Sequence, residues 1–114
     1  MEQFPKGKRL LTRLDFSRVF SKSKRIQNQY FTVLLHYTQS SQPPRLGLVV
    51  SKKIDKLAVK RNRIKRLIRE SFRMKKQLKS ADYVVMAKPG VSKIGNQLIT
   101  ESLNQLWQKC ENNK

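Results

Sequence analysis

Cysteine is nearly absent from this chain of 114 residues. Cys110 stands alone, so an intramolecular disulfide is impossible, and both a disulfide-stapled scaffold and a cysteine-based metal cluster are excluded. Histidine is as scarce, with His36 the one imidazole. The 7 acidic residues are Glu2, Asp15, Asp55, Glu70, Asp82, Glu101 and Glu111, and no two lie closer than ten positions. A nuclease acting alone on phosphodiesters wants paired carboxylates for metal ions, or two histidines for proton transfer. The spacing suggests neither, and no phosphate-binding loop, dinucleotide fingerprint or zinc spacing is present. Long hydrophobic runs are missing too. The N-terminal MEQFPKGKRLLTRLDF has no signal-peptide core, and no segment approaches the ~20 apolar residues of a membrane span. A reducing, nucleic-acid-rich compartment, the cytoplasm, is therefore expected.

What the chain has in excess is positive charge: 26 Lys and Arg give a formal net charge of +19 and a pI near 10.8. Such a chain repels itself, and a polyanion is the natural remedy. With 38% apolar residues and a mean hydropathy of -0.65, it still carries enough apolar material for one small core, so residues 1–114 are read as a single RNA-binding domain. The charge is clustered. Residues 1–25 are net +6, residues 26–51 hold Arg45 as their one charged group, residues 52–76 are net +10, and the remainder is net +2.

The densest block has helical periodicity, which a disordered basic tail lacks. At 100° per residue Ile64, Leu67, Ile68 and Phe72 fall inside one arc of about 140°, with Asn62, Lys65, Arg66, Arg69 and Arg73 opposite. One face packs and the other meets phosphate, so a helix over about Val59 to Leu78 is expected.

Around it the elements follow from pattern. Thr12 and Asp15 resemble a capping box opening a helix over about Arg13 to Ser21. A short strand is expected near Lys24 to Gln27, and YFTVLLHYT (Tyr30 to Thr38) reads as a strand with Phe31, Val33, Leu35 and Tyr37 on one face. Its other face carries Tyr30, Thr32, Leu34 and His36. QSSQPP is a turn, making RLGLVVS (Arg45 to Ser51) the expected second arm of an antiparallel hairpin. DYVVMAK (Asp82 to Lys88) is a buried strand stopped by Pro89 and Gly90. Leu98, Ile99, Leu103, Leu106, Trp107 and Cys110 then form an apolar stripe on a last helix from about Asn96 to Glu111. The expected class is α+β, one sheet with helices packed on it. Charge and architecture alone would also fit a ribosomal protein or a general RNA chaperone.

The segment VSKKIDKLAVKRNRIKRLIRESFR, Val50 to Arg73, resembles the protein subunit of bacterial ribonuclease P. Ser51 to Lys53 and the helical RNRIKRLIRE, Arg61 to Glu70, carry the match. RLLTRLDFSRVF, GLVVSKK and DYVVMAKPGV are similar to the family's first helix and core strands. The resemblance implies an α/β sandwich of order α-β-β-β-α-β-α, a mixed four-stranded sheet and a left-handed β-α-β crossover, an exception to the usual hand. It implies that a large RNA subunit holds the active site and most of the Mg2+, and removes the 5′ leader of precursor tRNA. The minimal complex would be one protein with one RNA subunit, and the polypeptide alone would be non-catalytic. Lys52, Lys53, Arg61, Asn62, Arg63, Lys65, Arg66 and Arg69 would contact the RNA subunit, since Arg and Lys neutralise phosphates. Phe16, Phe20, Tyr30, Thr32 and Leu34 would bind the leader in a cleft between the first helix and the sheet, with His36 completing its floor and aromatic rings stacking on unpaired bases. Two positions depart from the family pattern. Many members carry Gly where this chain has Asp55, and some have an aromatic at Leu34.

Overall fold

The computed structural model describes residues 23–37, 43–75, 78 and 80–112. The helix expected over Arg13 to Ser21, with Phe16 and Phe20, lies outside the described residues. Four strands and two long helices follow: β1 (Lys24–Gln27), β2 (Phe31–Tyr37), β3 (Arg45–Val49), α1 (Ala58–Met74), β4 (Ala81–Ala87) and α2 (Asn96–Asn112), with a 3-10 turn at Val91–Lys93. They form one mixed sheet in the order β1-β2-β4-β3.

The expected β2-β3 hairpin does not form. β4 lies between the two strands, antiparallel to β2 from Phe31↔Ala87 to Tyr37↔Ala81 and parallel to β3 from Arg45↔Asp82 to Val49↔Met86. The reason lies in burial. Ala81 to Val85 are all buried, so β4 has apolar surface to hide on both faces and both of its edges to pair. The exposed β1 and half-buried β3 take the sheet edges instead. The parallel pairing requires a crossover, and α1 supplies it.

Both helices pack on one face of the sheet. Phe31, Val33 and Leu35 of β2 and Tyr83 and Val85 of β4 meet Ile64, Leu67, Ile68 and Phe72 of α1 and Ile99, Leu103, Leu106, Trp107 and Cys110 of α2. Phe72, Tyr83 and Trp107 stack edge to face with ring centroids 5.7–6.0 Å apart. The indole Nε1 donates to Ser71 Oγ at 2.7 Å, so the largest buried ring leaves no polar atom stranded. The opposite sheet face carries a smaller cluster, Leu34 and Val84, against which Val49 and Met86 pack.

Two boundaries differ from expectation. α1 ends at Met74, because Lys75 is extended and its N–H turns back to Phe72 O. Leu78 lies beyond the helix yet joins the core. Leu98, placed by spacing on the apolar stripe of α2, is 44% exposed, because at 100° per residue it falls about 120° from the centre of the arc shared by Ile99, Leu103, Leu106, Trp107 and Cys110.

Candidate nucleic-acid interface

α1 is an amphipathic helix whose buried side is Ile64, Leu67, Ile68, Ser71 and Phe72. Its outer side is basic because the same periodicity places Asn62, Lys65, Arg66 and Arg69 away from the core. Asn62 and Arg66 are exposed, and Lys65 and Arg69 are half-buried along their stems. Among the described residues no carboxylate pairs with these three cations. The first turn of α1 contains no acid and its Leu57 N-cap makes no side-chain cap, so free backbone N–H groups add to the positive end of the helix dipole. Val59, 72% exposed, sits in the same outer stripe. Lys52 and Lys53 are exposed in the loop that precedes the helix, beside Lys56 and Lys60.

Arg61 and Arg63 behave differently from their neighbours. Arg61 Nη1 donates to the carbonyls of Asp55 at 3.0 Å and Lys56 at 2.9 Å. Arg63 reaches across to the segment entering α2, where Nη1 donates to Asn96 Oδ1 at 2.7 Å and Nη2 to Ser92 O at 3.1 Å and Ile94 O at 3.2 Å. The receiving residues Ser92, Ile94 and Asn96 carry no signal in the sequence. Ser92 lies in the 3-10 turn, Ile94 follows it and Asn96 opens α2, and what matters in the first two is the backbone carbonyl.

Asp55, the acid in an otherwise basic loop, has a structural use. Its Oδ1 accepts the Leu57 N–H at 2.9 Å, closing a turn at the helix entrance. That bond first, with the nearby charges of Lys60 and Arg61, holds its carboxyl below the ordinary value of 3.8. A depressed pKa stabilises the fold above the unfolded value, and the contribution is lost as pH falls through the folded one. Asp55→Asn should therefore make the melting temperature decline less steeply than in the parent as pH is lowered from about 4. Identical slopes in parallel thermal melts would refute this role.

The strand residues assigned to the leader are divided. Thr32 and Leu34 are buried on the face opposite the helices, and half-buried His36 continues their row. Tyr30 instead precedes β2 in a bend and packs against the main core. The cross-strand rows of that face are Thr32, Met86 and Val49, then Leu34, Val84 and Gly47, then His36, Asp82 and Arg45. The first two rows are mainly apolar, but Thr32, Leu34, Val84 and Gly47 are buried, so the half-buried Met86 and Val49 are their accessible apolar surface. His36 Nδ1 is buried without a hydrogen-bond partner. Arg45 grips Asp82 with two bonds of 2.8 Å, Nε to Oδ1 and Nη2 to Oδ2. Sequence reading missed this pair, although the one charge of the neutral middle segment was a pointer to it.

Comparison with known proteins gives these surfaces a context. The family model described as Ribonuclease P matches residues 4–111. The ribonuclease P protein component of Serratia proteamaculans is 44% identical over 107 residues, covering 93% of this chain and 89% of that protein. That of Pectobacterium atrosepticum is 45% identical over the same coverage. Among solved structures, the RNase P protein of Staphylococcus aureus superposes with a TM-score of 0.83 at 32% identity, covering 91% of this chain and 95% of that one. The Thermotoga maritima protein gives 0.75 at 35% identity, covering 89% and 96%. With a matching family model over nearly its whole length and relatives well above the identity at which folds diverge, the chain belongs to the ribonuclease P protein family.

Proposed function

We propose that this chain binds the catalytic RNA of ribonuclease P through the outer side of α1 and the lysine loop before it, and the 5′ leader of precursor tRNA through the opposite sheet face. The work is removal of the leader to give the mature tRNA 5′ end. The observation that carries the reading is the outer stripe of α1, where Lys65, Arg66 and Arg69 meet no carboxylate among the described residues while the inner stripe is wholly committed to the core. A cationic stripe on a rigid helix neutralises successive phosphates and releases their counterions. The half-buried Met86 and Val49 beside Leu34 complement it, because an unpaired leader offers base and ribose faces that charge does not recognise.

The described residues do not suit a protein-held Mg2+. No group of three or more His, Cys, Asp or Glu side chains comes together among them, Asp82 is bound by Arg45, and Asp55 is engaged at the Leu57 N–H. No step is assigned to a metal on the protein; that the RNA subunit holds the hydrolytic Mg2+ is what the family resemblance implies and is part of this proposal.

Reconstitution with the RNA subunit tests the reading. At low magnesium, cleavage of precursor tRNA should depend on the protein, and the protein alone should cleave nothing. In the assembled complex, precursor with a leader should bind more tightly than mature tRNA. Equal affinity for the two, with no gain in cleavage, would favour a general RNA chaperone.

A further inference from the structure

Three chain segments meet at the N-terminal end of α1: the loop from Ser51 to Leu57, the first two turns of the helix, and the stretch from Val91 to Asn96 that enters α2. Each pair of segments is tied. Arg61 binds the helix to the loop through the Asp55 and Lys56 carbonyls. Arg63 binds the helix to the α2 entrance through Ser92, Ile94 and Asn96. Ser92 Oγ closes the triangle at 3.4 Å from Ile54 O. Exposed lysines stand on all three segments: Lys52, Lys53 and Lys56 on the loop, Lys60 on the helix and Lys93 at the α2 entrance.

We infer that Arg61 and Arg63 are positioning residues, which set the RNA-binding surface from inside the protein by locking these three lysine-bearing segments together. The inference rests on the reading that this end of α1 faces the RNA subunit. Like charges on three separately mobile segments would spread apart. Fixed carbonyl acceptors hold the guanidinium groups, and the guanidinium groups hold the segments, so the lysines stay in one array. An array ordered beforehand loses less conformational freedom when it binds. Arg63 serves three acceptors from two separate Nη groups, a spread that the planar fork spans and that one ammonium nitrogen, for all its three donors, does not.

That difference between Arg and Lys is the test. Affinity for the RNA subunit is measured across a salt series for the parent, Arg63→Lys, Asn96→Ala, the double variant, and Arg66→Ala as the control for direct contact. All are compared well below their melting temperatures, so that folded protein is titrated. Positioning predicts that Arg63→Lys, which keeps the charge, weakens binding about tenfold and Asn96→Ala about threefold. The double variant should be no weaker than Arg63→Lys, because both changes break the same tie. Arg66→Ala should lower the salt slope by nearly one.

Parent-like binding by Arg63→Lys, with Asn96→Ala silent, would overturn the inference and make Arg63 a simple phosphate contact. Strict additivity of the two changes would overturn it as well. If Arg66→Ala leaves both affinity and slope unchanged, the α1 reading itself fails.

Discussion

Replacing Lys65, Arg66 and Arg69 together by alanine is expected to weaken binding to the RNA subunit by about a hundredfold or more at 0.1 M salt. The salt slope should fall by about 2 to 2.7, since each neutralised phosphate contributes about 0.7 for single strands and 0.9 for duplex. The three side chains project from the side of α1 opposite its buried stripe, and none pairs with a carboxylate among the described residues. The loss should therefore be one of binding and not of folding. Alanine is the best helix former, so the exposed side of the helix should keep its structure. Circular dichroism and melting temperature are the controls, and titration of the RNA subunit at several salt concentrations is the measurement. A folded triple variant with the parent's slope would show that α1 does not carry the interface. Tighter binding at high salt alone would point to non-electrostatic contacts. The comparison with Arg63→Lys matters here, because two kinds of basic residue share this helix. Those on the outer stripe meet no carboxylate among the described residues, and those that reach sideways donate hydrogen bonds within the protein.

That division marks where sequence reading stops. The buried stripe of α1 was legible because 3.6-residue periodicity is a local property, and Ile64, Leu67, Ile68 and Phe72 are all buried. The same periodicity gave Leu78 to the helix, since position 78 falls on the apolar arc too. Periodicity reports which side faces the core, and cannot tell a helix from an extended segment that returns to that core. The hairpin expectation failed for a related reason. Two neighbouring strands with a turn between them look like partners, and the candidate that separates them, β4, comes after the helix. Its apolar residues on both faces were visible as DYVVMA, and a strand buried on both sides belongs in the centre of a sheet. The family resemblance supplied the mixed sheet that local pattern could not. Site assignments were least legible at Arg61 and Arg63. The family resemblance implies RNA contacts for the Arg-Asn-Arg motif, and only the three-dimensional positions of Asp55, Lys56, Ser92, Ile94 and Asn96 reveal five hydrogen bonds inside the protein. Strand alternation puts Tyr30 in the row of Thr32 and Leu34, but β2 begins one residue later and Tyr30 packs against the main core.

Arg45→Ala is expected to destabilise the fold by about 3 to 5 kcal/mol, the usual cost of stranding one member of a buried ion pair. The Asp82 side chain is 1% exposed and Arg45 27%, so removing the arginine leaves a buried carboxylate without its two 2.8 Å charged hydrogen bonds. Against the marginal stability of a small domain that is a large fraction of the whole, and the melting temperature should fall by roughly 10–25 °C. Two further variants separate the pair's cost from its contribution. Asp82→Ala alone leaves an arginine that can turn to solvent, and should destabilise less than Arg45→Ala. Exchanging both residues, Arg45→Met with Asp82→Leu, should recover most of the loss, because a buried pair is often matched by apolar packing of similar volume. A melting temperature for Arg45→Ala within a few degrees of the parent would show that water reaches Asp82 and that the pair is not structural. The pair sits where β3 and β4 run parallel in register, Arg45↔Asp82, and α1 is the connection between those two strands. It therefore fixes the start of β4, to which the chain returns from the basic helix, against the start of β3; the helix departs from the other end of β3, beyond Val49. At temperatures where Arg45→Ala remains folded, its affinity for the RNA subunit should match the parent's, since Arg45 lies on the sheet face opposite α1. A defect in RNA binding that appears only as the variant melts would place Arg45 in the scaffold that carries the interface rather than in the interface.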